Sequence, residues 1–343
     1  MLRSFRLANH RSFRDEHELL LMPSYDNDRD VVPVAAVFGA NASGKSNLLN
    51  GLQLMSTLVR GWGTREPRSS IPRSPFRLAP KSLFEPSSFA VELVLDGVRY
   101  AYGFAVDDER VIREWLHAYP FNRRRVLLER DGRSITFGST TTQRTRVEVI
   151  EELLTDDTLF LAVAARLKLD QYQPVIQWFR LSLLFVRRSQ FRFHWADRDE
   201  RLARFVERSD TDRAAFLTLA RVADVGISDV AVEYVDDPRA AGEAEALQAT
   251  MERLKSEMAD ADHERLALAE TLGRAQSRLD IIQGQLQRPR LLLIHSGVRF
   301  ELGDESEGTQ LWLDLLPNVI TGLNSGRTLV IDEIDSSLHP LLV

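Results

Sequence analysis

Apolar and polar residues alternate from Leu2 to Met22, which predicts two short strands around a turn at Asn9-His10. A polar stretch, Ser24 to Asp30, leads into Val31-Val32-Pro33-Val34-Ala35-Ala36-Val37-Phe38. So continuous an apolar run predicts a strand buried on both faces. Gly44 to about Arg60 reads as a helix whose buried side holds Leu48, Leu49, Leu52, Leu54 and Leu58. Gly61 to Pro86, rich in Arg, Ser and Pro, predicts an irregular excursion. Strand patterns resume at Phe89–Leu95 and Val98–Val106 around the Asp96-Gly97 turn, and another hairpin is expected around Asp131-Gly132.

From about Val147 to Val225 the pattern turns helical, with Leu159, Leu161, Ala162, Ala165 and Leu167 on one helix and Phe205 and Phe216 to Leu219 on later ones. Ala241 to Gln287 is different: Leu247, Met251, Leu254, Met258, Ala261, Leu268, Leu272, Ala275, Leu279, Ile282 and Leu286 follow one 4-3 register, broken only by Arg265. This pattern predicts a coiled coil or long-helix insertion. One straight helix would reach about 70 Å, and a hairpin folded near Asp260 to His263 about half that. Pro289 is expected to end the helix; Leu291–Ser296 and Val298–Leu302 read as a strand pair, and Thr328–Ile331 as the last strand. The expected domains are residues 1–146, a helical lobe over 147–225, an insertion over 226–290 and a closing half over 291–343.

Composition narrows the functional classes. The 343 residues contain no cysteine, which removes disulfides, thiolate zinc sites and thiol catalysis and suits a cytoplasmic location. No window is apolar enough for a membrane span, the first residues lack the apolar core of a signal peptide, and the seven histidines show no ligand spacing. A formal charge of -6 argues against a chain wrapped in nucleic acid, although Asn122–Arg125 and Arg187–Arg208 are locally basic. The favoured reading of both is a solvated face or turn.

Residues 39–46, Gly-Ala-Asn-Ala-Ser-Gly-Lys-Ser, satisfy the phosphate-binding pattern GxxxxGK[ST] between an expected strand and an expected helix. Gly39 and Gly44 let the backbone of Ala40, Asn41, Ala42 and Ser43 curl so that successive N–H groups point inward at a helix N-terminus. Lys45 would bridge the β- and γ-phosphates, and the Ser46 hydroxyl would ligate Mg²⁺. The apolar strand Leu329–Ile331 ends in Asp332 and Glu333. Asp332 is placed to hold the metal through water, and Glu333 to polarise the attacking water. This acidic pair points to hydrolysis, and the absence of an NKxD-like guanine reader points to ATP. About 24 residues ahead of Asp332, Ser306 and Gly308 open a helix and can offer a hydroxyl, N–H groups and a positive dipole end to a phosphate. In ABC-type ATPases the signature motif does this for a nucleotide held by a second subunit.

Together "LANHRSF", "GANASGKSNLL", "HSGVRFELGDESEGTQ" and "LVIDEIDSSLHP" resemble the bacterial ABC-type ATPases grouped as AAA15/AAA21, relatives of the RecF, SMC, Rad50 and OLD ATPases often found in phage-defence modules. The resemblance covers both ends and the order of motifs; residues 105 to 290 match only in kind. It implies an α/β P-loop NTPase fold with an ABC-type head, an N-terminal antiparallel β subdomain, a helical lobe and a coiled-coil insertion. It also implies Walker A at Lys45 and Ser46, with Asn47 beside them, the signature at Ser306 and Gly308, Walker B at Asp332 and Glu333, and a D-loop at Asp335 to His339. Asn9 and Arg11 correspond to a turn lying near the nucleotide in Rad50-like heads.

Two departures stand out. No glutamine suits a Q-loop after the strands that follow the P-loop. The sequence also stops just past the D-loop, where relatives continue to a switch residue, usually histidine, so a truncated chain is expected.

The expected function is an ATPase switch: two copies sandwich two ATP molecules, and hydrolysis opens the seam. By resemblance the further partner is a separately encoded toxin or nuclease effector. A RecF-type DNA-repair ATPase that binds DNA, and a scaffold that binds ATP without hydrolysing it, are the alternatives. No Toprim-like acidic metal site is present in the sequence.

Overall fold

The alternation of the first twenty residues becomes β1 (Leu2–Ala8) and β2 (His17–Leu20), paired antiparallel with Ser4 opposite Leu20. These strands belong to a computed structural model that describes residues 1–24, 29–61, 70–139, 141–167, 169–186, 195–222, 226–260, 265–284 and 286–334. The chain divides into two units, Met1–Arg187 with Thr321–Glu333, and Arg188–Ile320 with Ile334–Val343. The division falls inside the segment expected to form one helical lobe.

In the first unit, β3 (Ser87–Leu95), β4 (Val98–Val106), β5 (Val111–Tyr119), β6 (Arg125–Asp131) and β7 (Ser134–Thr136) complete a seven-stranded antiparallel sheet of order β2-β1-β3-β4-β5-β6-β7. Both expected hairpins are present, while β5 is a strand that the sequence reading passed over. The apolar side of this sheet carries Phe5, Leu7, Phe89, Val91, Tyr102, Phe104 and Leu116, all fully buried. Against them lie Leu52, Met55, Leu58 and Val59 of α1 (Lys45–Val59) and most of α3 (Phe160–Leu167). Also packed there are α2 (Arg144–Leu153), through Val147 and Ile150, and α4 (Gln173–Gln177), with the π-helical turn Trp178–Ser182. Burial on this scale is the main stabilising term, because each large side chain removed from water contributes about 1.5–3 kcal/mol.

A buried ionic pin joins the sheet to these helices. Glu114 of β5 accepts hydrogen bonds from Tyr102 Oη at 3.0 Å and from the Phe160 and Leu161 N–H groups at 2.7 and 3.1 Å. It therefore caps α3 from across the core, satisfying N–H groups that a helix start leaves open. Burial pushes its carboxyl above the ordinary value, and the nearby Arg130 guanidinium opposes that shift.

Two expectations in this unit need correction. Val31 is buried and the Val32 N–H donates to Leu21 O at 2.8 Å, but from Pro33 to Phe38 the chain is exposed and joins no ladder among the described residues. An apolar run shows what can be buried; burial on both faces also needs flanking strands, and the parallel pair formed by β8 (Leu183–Val186) and β12 (Thr328–Ile331) assembles without it. The second correction is β8 itself, a strand inside the stretch read as wholly helical.

In the second unit, α5 (Trp195–Glu207) and α6 (Asp210–Val222) share a core with β9 (Asp229–Asp236), β10 (Gln287–His295) and the leading part of α9 (Glu307–Ser325). Leu202, Phe216, Leu291, Leu293, Leu313 and Leu316 are fully buried there or nearly so. Asp314 is buried within this unit between Arg198 and Arg201, the latter at 2.8 Å. The expected strand pair is present as β10 with β11 (Val298–Glu301).

The long 4-3 register folds back as two helices, α7 (Pro238–Asp260) and α8 (Arg265–Gln283), rather than as one straight rod. They meet along Ala244, Met251, Ala275, Leu279 and Ile282, and Arg278 bonds Glu243 at 2.9 Å, which sets them antiparallel. Pro289 does not end the helix; it lies in β10 opposite Tyr234 of β9. The β11 ladder covers only Leu292 to His295, so the missing proline N–H falls where β10 has an open edge. Among the described residues no helix is long and apolar enough to cross a membrane.

Candidate phosphate-binding site

Residues Gly39 to Ser43 form an exposed loop closed by a Ser43 N–H bond to Ala40 O at 3.2 Å, with Ala42 left-handed at φ 64°. Gly44 follows at φ 102°, a conformation that side-chain-bearing residues adopt only under strain. A Cβ at Gly39 would lie 2.6 Å from Ser43 Oγ, and one at Gly44 would lie 2.9 Å from Ser12 Oγ and 3.2 Å from Phe13 Cζ. Gly44 is thus required by torsion, and a side chain at Gly39 would have to displace the Ser43 hydroxyl.

The loop delivers the chain into α1, whose N-cap is Gly44. No side chain caps this helix start, and its first turn holds no acidic residue. Its N–H groups and positive dipole end therefore remain for an external anion. The Lys45 ammonium folds back over the loop, donating to the carbonyls of Gly39 at 2.5 Å and Ala40 at 3.0 Å. It thus sits over the same short segment whose N–H groups would face a phosphate.

Tertiary structure brings an acidic element to this point. The β8–β12 pair ends at Ile331 opposite Val186, and the Asp332 N–H bonds Val186 O at 3.2 Å. That register sets Asp332 Oδ1 as the acceptor of Ser46 Oγ at 3.0 Å, across 286 positions of sequence. A hydroxyl and a carboxylate meeting beside an uncapped helix start form a hard, all-oxygen donor pair suited to Mg²⁺, which takes few protein ligands and fills its remaining positions with water and phosphate oxygens. The residues present fit that ion. Glu333, next in sequence, is exposed and left-handed at φ 60°.

The N-terminal turn packs on the same helix. Asn47 Nδ2 donates to Ser12 Oγ at 2.9 Å, and Asn47 Oδ1 accepts from Arg11 Nη1 at 3.4 Å. His10 Nε2 and Asn50 Oδ1 lie 3.1 Å apart. Burial, together with the Arg11 charge, pulls the His10 imidazole down to about 4, against the Asn50 bond. Arg11 thus reaches α1 through Asn47.

Asn9 does not join it. Its amide is buried and donates to Ser82 O and Glu85 O, both at 2.7 Å, while its Oδ1 accepts the Phe76 N–H at 3.0 Å. The expected nucleotide contact is corrected to a structural role: Asn9 holds the 70–86 excursion against β1. Sequence reasoning missed Ser12, Phe13, His10 and Asn50, whose only signal was proximity to Arg11 or Asn47 along the chain.

Within the second unit, Ser306 is the cap of α9. Its Oγ accepts the Thr309 N–H at 3.1 Å, and the Glu305 side chain just before it meets His295 Nε2 at 2.7 Å. Ser306 is exposed and Gly308 half-buried. The expected D-loop, Asp335 to His339, lies outside the described residues, as do residues 187–194 of the basic stretch Arg187–Arg208.

Among solved structures, the recombination mediator RecF with ATP is 12% identical, with a TM-score of 0.33, and the match covers 99% of this chain and 88% of that one. The Smc head domain from Pyrococcus furiosus, with an extended coiled coil and bound to the C-terminal domain of ScpA, is 11% identical with a TM-score of 0.34, covering 99% and 84%. A search of curated proteins finds no match. The family described as "AAA domain, putative AbiEii toxin, Type IV TA system" matches residues 34–147 and 176–343, most of the sequence, with Gly39 to Ser46 and Asp332 inside the match. The chain belongs to that family of ABC-type AAA ATPases.

Proposed function

We propose that the chain binds and hydrolyses ATP and works as a dimeric nucleotide switch. The observation that carries this reading is the 3.0 Å bond from Ser46 to Asp332 beside the uncapped start of α1. In the proposed complex the first-turn N–H groups of α1 hold the phosphate oxygens, and Lys45 leaves the Gly39 and Ala40 carbonyls to bridge the β- and γ-phosphates. Ser46, and Asp332 through water, would hold Mg²⁺, which would supply positive charge against the phosphate oxygens. Glu333 orients the attacking water and accepts its proton as the γ-phosphoryl group passes to that water and ADP leaves.

In the same proposal a second copy completes each site with its Ser306–Gly308 helix start. Ser306 lies on the surface, as such a contact requires. The switch would act in the cytoplasm as the sensor of an anti-phage module, working on a separate toxin or nuclease effector. The family's association with AbiEii and type IV toxin–antitoxin systems supports that assignment. To drive the heads from mostly open to mostly closed, ATP must favour the closed pair by about 10⁴-fold.

Glu333→Gln is the decisive variant. Turnover should collapse while ATP-dependent dimerisation, measured by light scattering, persists. Wild-type protein that dimerises on ATP without releasing phosphate would be a scaffold instead, and protein that stays monomeric with ATP would remove the two-copy switch.

A further inference from the structure

The connection from β5 to β6 carries an arrangement that nucleotide binding leaves unexplained. Phe121 at its tip is 98% exposed, the most exposed large apolar side chain among the described residues. Its backbone is left-handed at φ 54° and ψ 35°, and Asn122 follows at φ 58°. Two successive left-handed residues without glycine, one of them a bulky aromatic, are rare, and conformations of this kind concentrate where a side chain must be presented to a ligand.

Arg123, Arg124 and Arg125 come directly after it, the first two exposed. Arg123 has no side-chain hydrogen bond among the described residues. Arg124 pairs with Glu129 at 2.5 Å and also donates to His117 Nε2 at 3.0 Å. On the neighbouring strand Arg99 stacks over Tyr119, 3.8 Å from the ring centroid, while its guanidinium stands 3.7 Å from Glu92. Asp96 lies in the β3–β4 turn.

We propose that the Phe121–Arg125 tip is a nucleic-acid contact, in which Arg123 and Arg124 hold the phosphodiester backbone and Phe121 stacks on a base. All three cations are arginine, whose planar fork matches phosphate oxygens better than a lysine ammonium does. A flat aromatic beside them suits a base, the one feature that an acidic peptide lacks. Membrane-surface binding instead favours an amphipathic helix with an extended apolar face, and this tip has a single apolar residue. The overall charge of -6 limits long-range attraction, so the contact is local and engages few phosphates. This proposal is independent of whether two heads close on ATP.

The test is fluorescence anisotropy of the full chain with a labelled oligothymidylate and with a duplex of equal length, across a salt series. Phe121→Ala should weaken oligothymidylate binding roughly five- to hundredfold with an unchanged salt slope. Arg123→Ala should reduce the slope of log affinity against log salt by about 1. Both variants should keep wild-type urea midpoints and ATP turnover, because neither side chain packs in the core or touches the phosphate site. The proposal is overturned if both variants bind like wild type. It is equally overturned if neither DNA is bound, or if the chain captures phosphatidylserine vesicles in preference to oligonucleotide.

Discussion

Gly44→Ala probes the phosphate loop at the point where torsion and space both act. At φ 102° a residue with a Cβ is strained by about 1–2 kcal/mol relative to glycine. The new methyl would also stand 2.9 Å from Ser12 Oγ, which must shift. That hydroxyl accepts the Asn47 Nδ2 bond at 2.9 Å, and losing the bond costs about 0.5–1.5 kcal/mol more. The combined penalty is about 1.5–3.5 kcal/mol, roughly 10- to 300-fold in an equilibrium constant.

Urea unfolding and calorimetric titration with a non-hydrolysable ATP analogue read the two places where this penalty can fall. If the loop stays docked, the folded state loses stability. If the N-terminal turn lets go locally, affinity for the analogue drops instead. Ser12→Ala combined with Gly44→Ala should be less than additive by about the value of the shared hydrogen bond. Wild-type stability together with wild-type affinity in Gly44→Ala would refute the claim that this glycine is required by geometry.

Two further outcomes concern the frame around the site. His10 has a folded-state value of about 4 against an ordinary 6.5, so folding favours its neutral form. Its contribution is fully present above pH 6.5 and is lost as pH falls toward 4, up to about 3 kcal/mol at about 1.4 kcal/mol per unit; His10→Gln should flatten that part of a stability–pH curve measured by urea unfolding, and an unchanged curve would count against the burial of His10. Glu114→Ala should cost about 3–5 kcal/mol in urea unfolding, because Tyr102, the start of α3 and Arg130 would lose a shared buried partner; a loss under 1 kcal/mol would remove the pin from the account of the core.

Local patterns determined much of this molecule. Gly39 to Ser46 can be read from sequence because the residues that curl the backbone and face a phosphate are contiguous. The hairpins around Asp96-Gly97 and Asp131-Gly132 were readable for the same reason, since a tight turn and its flanking alternation lie within a few residues. Non-local facts were decided only by folding. The motifs assign Ser46 and Asp332 to one metal, but the direct bond between them depends on β12 lying parallel to β8 in one register.

Asn9 shows the reverse case. A motif carried by resemblance pointed it at nucleotide, and packing turned its amide to the carbonyls of Ser82 and Glu85. Pattern also overreached at Val34–Phe38, since hydrophobicity reports a tendency to be buried while burial itself is a property of neighbours. Sequence determines which segments bend, alternate and carry charge, because those preferences act over one or two turns. Only the tertiary structure decides which of them meet, because a contact across 286 positions must repay the entropy of closing the loop between them.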